Sequence, residues 1–216
     1  VAFEIDHLFV AGPAGCAALD RLLARGFAEG RPNSHPGQGT ACRRIFFDES
    51  YLEFLWLENR AEAASDAVRP TGLLQRADVE SGASHFGICL RSTEAAGEEL
   101  PFAVREYTPP YLPEGLSISI GRNADRLDEP LLFFLSPGIG RRQNVIDHPN
   151  GAQSISNVSL LLAPGESTSP ELHAFGALGL VEVARGAGPV MHLELDGATR
   201  GESIDLRPEI DLVVDW

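Results

Sequence analysis

The chain has 216 residues, 44% of them hydrophobic, with a formal net charge of −14. That length buries a core without disulfide support, and the acidity argues against nucleic acid as a partner, because a phosphate backbone needs a basic face. All 17 basic residues are arginines, so a Schiff-base lysine, a lysine general base and a P-loop lysine are excluded.

No apolar run approaches the ~20 residues of a membrane span, and no basic segment precedes an apolar one, so no membrane partner is expected. Three widely spaced cysteines, Cys16, Cys42 and Cys89, form neither a disulfide framework nor a C-x-x-C knuckle. They suit a reducing cytoplasm, where lone cysteines act as small apolar residues.

The first element is a strand from Phe3 to Val10, ended by Ala11-Gly12-Pro13. A period of two puts Phe3, Ile5, His7 and Phe9 on one face and Glu4, Asp6, Leu8 and Val10 on the other. His7 then lies amid apolar neighbours, as a core histidine or as a functional one. Gly15 to Arg25 follows as a helix, with Leu19, Leu22 and Leu23 at helical spacing and Gly26 as its stop. Arg31 to Thr40 is a loop of turn formers carrying His35, Gln38 and Thr40, whose glycines allow close approach of a ligand.

Ala41 to Phe47 and Tyr51 to Leu57 read as a hairpin. In its second strand Tyr51, Glu53, Leu55 and Leu57 share a face. A carboxylate flanked by apolar residues is costly to bury alone. Glu53 therefore needs an arginine, a metal or cavity solvent, and Arg43 and Arg44 on the partner strand are the ordinary solution. Glu58 to Gly82 is polar and reads as a linker between two halves.

A second pass begins with Ser84 to Arg91, a strand in which His85, Gly87 and Cys89 face one way. A short helix over Thr93 to Leu100 and strands at Phe102–Tyr107, Leu116–Ile120 and Leu131–Ser136 complete it. Residues 1–136 thus hold two passes of strand, helix and about three strands, a repeat of pattern with little identity. Residues 137–153 form a linker. Residues 154–216 hold a third βαβββ-like pass, with a helix from Pro170 to Leu178 capped by Ser169. This third module either packs on the first two or pairs with a partner subunit in a homodimer. The fold class expected is α+β, with repeated βαβββ modules whose curved mixed sheets enclose a central cavity.

This pattern, opening on Ile5-Asp6-His7 and reaching Tyr51-Leu52-Glu53, resembles the vicinal oxygen chelate superfamily. The His-Pro-Gly-Gln-Gly-Thr loop and Asp147-His148-Pro149 resemble, more narrowly, its glyoxalase-like domain branch. The resemblance implies a divalent metal in the cup, held from the first and last strands of each module. Carried over, these positions are His7, Glu53 and His85, a donor set suited to Zn²⁺, Mn²⁺, Fe²⁺ or Ni²⁺. The last strand of the second module, Leu131 to Ser136, departs from the pattern by lacking a carboxylate.

Two functions of different class follow. One is a metal-dependent lyase, isomerase or dioxygenase that stabilises an enolate or oxyanion of a small oxygen-rich substrate. Glu53 and His35 are its candidate catalytic residues, with Asp147 and His148 as further candidate bases. The other is a metal-free protein that binds or sequesters a small molecule, like the antibiotic-resistance members of the superfamily. Its cup is lined by Phe3, Phe9, Phe46, Tyr51, Leu55 and Phe133. Either way, His35, Gln38, Thr40, Arg44, Tyr51, Phe133 and His148 are the expected ligand contacts. The reading leans to the enzyme, with His173 and His192 as ordinary histidines.

Overall fold

The computed structural model describes residues 3–93, 99–135, 146–165 and 167–216. The helix expected over Thr93 to Leu100, and the 137–145 part of the expected linker, fall largely outside them. The first half runs β1 (Phe3–Ala11), α1 (Ala18–Leu23), β2 (Asn33–His35), β3 (Thr40–Phe46) and β4 (Tyr51–Leu57). The second runs β5 (Phe86–Ser92), β6 (Val104–Tyr107), β7 (Ile118–Gly121) and β8 (Leu131–Leu135). All eight strands form one sheet in the order β2-β3-β4-β1-β5-β8-β7-β6. Outward from the central antiparallel β1–β5 pair, both halves repeat one design: a first strand parallel to the last, then two antiparallel neighbours. The α+β class with repeated modules curling around a cavity is therefore the fold observed.

One irregularity decides what faces that cavity. The β1–β5 register shifts between Ile5 and His7: Ile5 lies opposite Leu90, and His7 opposite Cys89. Asp6 is the extra residue of a bulge, which re-aims the strand beyond it. Phe3 and Ile5 therefore join Leu8 and Val10 in the core on the convex side, while His7, Phe9 and Ala11 lie on the concave side. This corrects the strict alternation expected for β1 and removes Phe3 from the cup. In β4 the alternation holds: Leu52 and Phe54 are core, and Tyr51, Glu53 and Leu55 line the cavity.

Phe9 lies across β5 from Gly87, where any Cβ would meet its ring at 2.0 Å. A glycine is required there for the two strands to pass while the phenyl ring lies between them.

The polar stretch after β4 is more than a linker. It contains α2 (Arg60–Ala63), capped by the Asn59 side chain accepting from the Ala61 and Glu62 amides, and α3 (Leu73–Arg76). Val68, Leu73 and Ala77 from this stretch pack into the apolar cluster on the cavity side.

The remaining strands are β9 (Ile155–Leu162), β10 (Glu182–Arg185), β11 (Val190–Leu195), β12 (Ser203–Asp205) and β13 (Leu212–Asp215), with α4 (Pro170–Gly176) after β9. They form a second sheet ordered β10-β9-β11-β13-β12. Its centre is again an antiparallel pair, β9–β11, and each member has a parallel outer neighbour. The pairing is thus a shortened echo of the large sheet, with β9 joined to the very next strand. Ser169 caps α4 by accepting from the Leu172 amide, and Pro170 takes the first helical position. One apolar core joins Leu8, Ile88 and Leu132 of the large sheet to Leu160, Met191 and Leu193 of the small one. The small sheet therefore covers the convex side and leaves the concave side open. Among the described residues no helix is long and apolar enough to cross a membrane.

Candidate active site

The concave side holds a cavity of about 200 Å³ with two unlike walls. The first module contributes His7, Asn33, His35, Gln38, Arg44, Tyr51 and Glu53. The second contributes Tyr107, Ile118, Ile120, Leu131, Phe133 and Leu135. A ligand there meets polar groups on one side and an apolar surface on the other.

His7 is held on three sides. Its Nδ1 lies 2.7 Å from Asp6 Oδ1. Its ring stacks on Tyr51, with centroids 4.4 Å apart and planes 15° apart, and meets Phe133 edge-on at 5.3 Å. The stack follows from register, since His7 and Tyr51 are opposite each other in the β1–β4 pair. Arg91 in turn donates to Asp6 Oδ2 at 3.0 Å and also bonds Glu4. Burial pushes the Asp6 carboxyl up, but His7 and Arg91 outweigh it and hold it below its ordinary value. With Nδ1 taken, the Nε2 edge of His7 is the one left for a ligand. Cys89, the register partner of His7, is fully buried, and burial pushes its thiol far up.

Glu53 is 7% exposed and, among the described residues, forms no ion pair. Its hydrogen bond is a weak one, from the Cys42 thiol at 3.5 Å. Neither arginine of the partner strand neutralises it. Arg43 binds Glu29 and Asp20 on the other side of β3. Arg44, its register partner, donates twice to the Arg31 carbonyl and lies over the Phe46 and Tyr51 rings. Among the described residues, the cross-strand ion pair that was the ordinary one of three solutions for Glu53 is therefore absent.

His35 sits in a chain of polar contacts. Its Nδ1 is 2.9 Å from Thr40 Oγ1 and its Nε2 is 3.0 Å from the Asn33 amide. Gln38 donates to the same Thr40 oxygen, and Tyr111 donates to Gln38. Burial lowers the His35 pKa, which favours the neutral ring. Thr40 itself lies behind His35 and Gln38. The stretch expected as a loop is partly strand, and the β2–β3 hairpin brings His35 and Gln38 to the cavity with Thr40 tying them together from behind.

Of the expected cavity residues, Thr40 and Phe46 lie beside the lining and not in it, and His85 and His148 are held elsewhere. His85 precedes β5, and its Nδ1 lies 2.7 Å from the carbonyl of Arg76, in α3. The strand begins only at Phe86, so the ring escapes the alternation that was to aim it inward. His148 is a buried tie: its Nδ1 accepts from the Ala28 amide at 3.0 Å and its Nε2 donates to the Phe46 carbonyl at 3.1 Å. Phe27 and Phe47 flank the ring. His148 is thus bound to backbone instead of ligand, and its neighbour Asp147 is exposed.

This role for His148 has a measurable consequence. His148→Ala orphans two backbone groups and opens a void between two phenyl rings, which is expected to cost about 3 kcal/mol. Burial holds the His148 pKa below its ordinary value of 6.5, against the pull of the Phe46 carbonyl. Between the folded and unfolded values the unfolded chain binds more protons, so stability falls as pH drops below 6.5. Urea midpoints measured from about pH 8 to about pH 5 should show a shallower acid slope in His148→Ala than in the parent. Equal slopes would reject the assignment.

Sequence reading missed Asp6, Tyr107 and Asn33. Tyr107 lines the cavity, yet among the described residues its buried hydroxyl has no partner. Only the adjacency of Asp6 and His7 hinted at their pairing, and alternation alone argues against it.

One ion held by His7, Glu53 and His85 together does not fit this geometry. His7 and Glu53 face the cavity, His85 does not, and β8 presents Leu131, Phe133 and Leu135. Two groups of donor atoms lie within 4.8 Å of one another: His35, Cys42 and Glu53 of the first module, and Asp6 and His7 of β1 with Cys89 of β5.

Comparisons with known proteins agree with the architecture. No curated protein matches the chain. The crystal structure of a hypothetical protein from Staphylococcus aureus superposes with a TM-score of 0.58 at 14% identity, covering 100% of this chain and 99% of that one. At that identity the likeness shows the fold alone. A family model described as a glyoxalase-like domain matches residues 5–176. The chain belongs to the glyoxalase-like domain family of the vicinal oxygen chelate superfamily.

Proposed function

We propose that this protein is an enzyme that binds a small oxygen-bearing molecule in the concave cavity and moves a proton on it, with His7 as the acid–base group. The observation that carries this reading is the Asp6–His7 dyad, clamped by Arg91 and by two aromatic rings beside a cavity otherwise rich in apolar surface. A carboxylate on Nδ1 fixes the tautomer, leaves Nε2 as the base and stabilises the imidazolium formed. The proton leaves a carbon next to a carbonyl for Nε2, and the electron pair moves onto the carbonyl oxygen as an enolate. Arg44, which forms no ion pair among the described residues, supplies the positive charge nearest this polar wall. Return of the proton to the same or a neighbouring atom completes an exchange or an isomerisation. The orphaned Tyr107 hydroxyl supports an oxygen-bearing ligand, since a buried hydroxyl without a partner costs about 1–3 kcal/mol.

The apolar wall from the second module also suits a protein that only sequesters its ligand. The two readings separate in deuterium oxide. The protein is mixed with small 2-oxo acids and hydroxyketones, and carbon-bound protons are followed by NMR. Catalysed exchange in the parent, lost in His7→Ala while line broadening still reports binding, is the expected result. Binding with no exchange for any compound would leave the sequestering reading.

A further inference from the structure

We infer that His35, Cys42 and Glu53 form a transition-metal site of the histidine–thiolate–carboxylate type, built by the first module alone and suited to Zn²⁺. This rests on reading the concave cavity as the working site, but not on proton transfer by His7. The three donor atoms lie within 4.8 Å of one another, and all three residues are buried. Ligands around zinc at ~2.0–2.3 Å are ~3.5 Å apart, so the cluster needs only a small contraction. Cys42 Sγ and Glu53 Oε1 are already at 3.5 Å.

Two observations point to a cation. Glu53 is more than nine-tenths buried, faces the cavity and, among the described residues, has no ion-pair partner. A buried carboxylate is costly unless it is paired or coordinates a metal. Arg44, the one arginine opposite it in register, spends its guanidinium on the Arg31 carbonyl. The second observation is the support behind His35. Its Nδ1 lies 2.9 Å from Thr40 Oγ1 and its Nε2 3.0 Å from the Asn33 side-chain nitrogen, so a metal taken by Nε2 would displace the Asn33 side chain while Thr40 held Nδ1. Thr40 is itself held by Gln38, so the imidazole has the outer hydrogen bond that fixes tautomer and ring direction in metal sites.

The donor types choose the metal. A thiolate beside an imidazole disfavours Mg²⁺ and Ca²⁺ and suits zinc, leaving a fourth position open to the cavity. As the S–Zn bond forms, the thiol proton leaves to solvent. Cys42 is set by β3 alternation on the same side as Thr40 and Arg44, which is why a residue that reads as an inert buried cysteine reaches Glu53.

The test uses untagged full-length protein, stripped with a chelator and titrated with Zn²⁺ by calorimetry and with Co²⁺ by absorption. One equivalent should bind, and cobalt should give a thiolate charge-transfer band in the near ultraviolet. Cys42→Ser should abolish the band, Glu53→Gln should weaken binding by at least about tenfold, and His85→Ala should change neither. Circular dichroism checks that each variant folds. If Cys42→Ser does not fold, Glu53→Gln and His35→Ala carry the test. Absence of stoichiometric binding, a band that survives Cys42→Ser, or unaltered affinity in both Glu53→Gln and His35→Ala would overturn the site. Proton exchange is read in the same samples. Exchange without the cobalt band rejects the metal site and spares the role of His7; the band without exchange does the reverse.

Discussion

Arg76→Met is expected to destabilise the protein by about 4 kcal/mol or more, the largest loss of stability from any single change considered. Arg76 is fully buried at the end of α3. Its guanidinium donates to the carbonyls of Ser84 at 3.3 Å, Ala124 at 3.3 Å and Arg126 at 3.1 Å, and to that of Glu129. Its own carbonyl accepts from His85. One side chain therefore ties the start of β5 to the loop that leads into β8. Burial pulls its pKa down to about 10, against the pull of Glu129 and Asp128, so it stays charged at neutral pH. Methionine fills a similar volume but leaves four carbonyls without their donor. A domain of this kind has roughly 5–15 kcal/mol in hand, so the loss is a large share of it.

Two companion variants give the expectation its shape. Arg76→Lys keeps a charge but has three donors on a single point and cannot reproduce the fork, so it should fall between parent and Arg76→Met. His85→Ala removes one bond to a partly buried carbonyl and should cost about 1–2 kcal/mol. Urea unfolding at neutral pH measures all three. Arg76→Met within about 1 kcal/mol of the parent would show that water replaces the guanidinium, and the tie would lose its importance.

Arg76 also shows where sequence reading stops. The order of elements was legible because each strand and helix carries its own period, and the parallel first-to-last pairing follows from the module. The inward face of β4 was legible too, since Tyr51, Glu53 and Leu55 alternate without interruption. Alternation failed in β1 because a bulge depends on the pairing of two strands, and nothing local to Asp6 announces it. It failed at His85 because the strand starts one residue later. Arg76 sits in a polar stretch, where an arginine reads as solvated. Its burial is created by segments about fifty residues away, which no local pattern records.

Asp6→Asn is the variant expected to have the largest effect on chemistry: a fall in catalysed proton exchange of about 10²- to 10⁴-fold, with ligand affinity nearly unchanged. The side chain keeps its size and its place in the bulge, so the fold should persist. What changes is the partner of His7 Nδ1, now 2.7 Å from a carboxylate. A neutral amide gives no charge to stabilise the imidazolium, and if it presents its NH₂ group it favours the tautomer with the proton on Nε2, which is no base. Arg91 would lose an ionic partner at Asp6 but keep Glu4, so the arginine remains anchored. The readout is the exchange rate at saturating and at limiting ligand. A loss confined to the saturated rate marks an interaction made on the way to the transition state, whereas a loss confined to affinity marks a binding contact. Asp6→Asn with exchange within about threefold of the parent would remove the dyad from the mechanism and turn attention to Glu53 as the base.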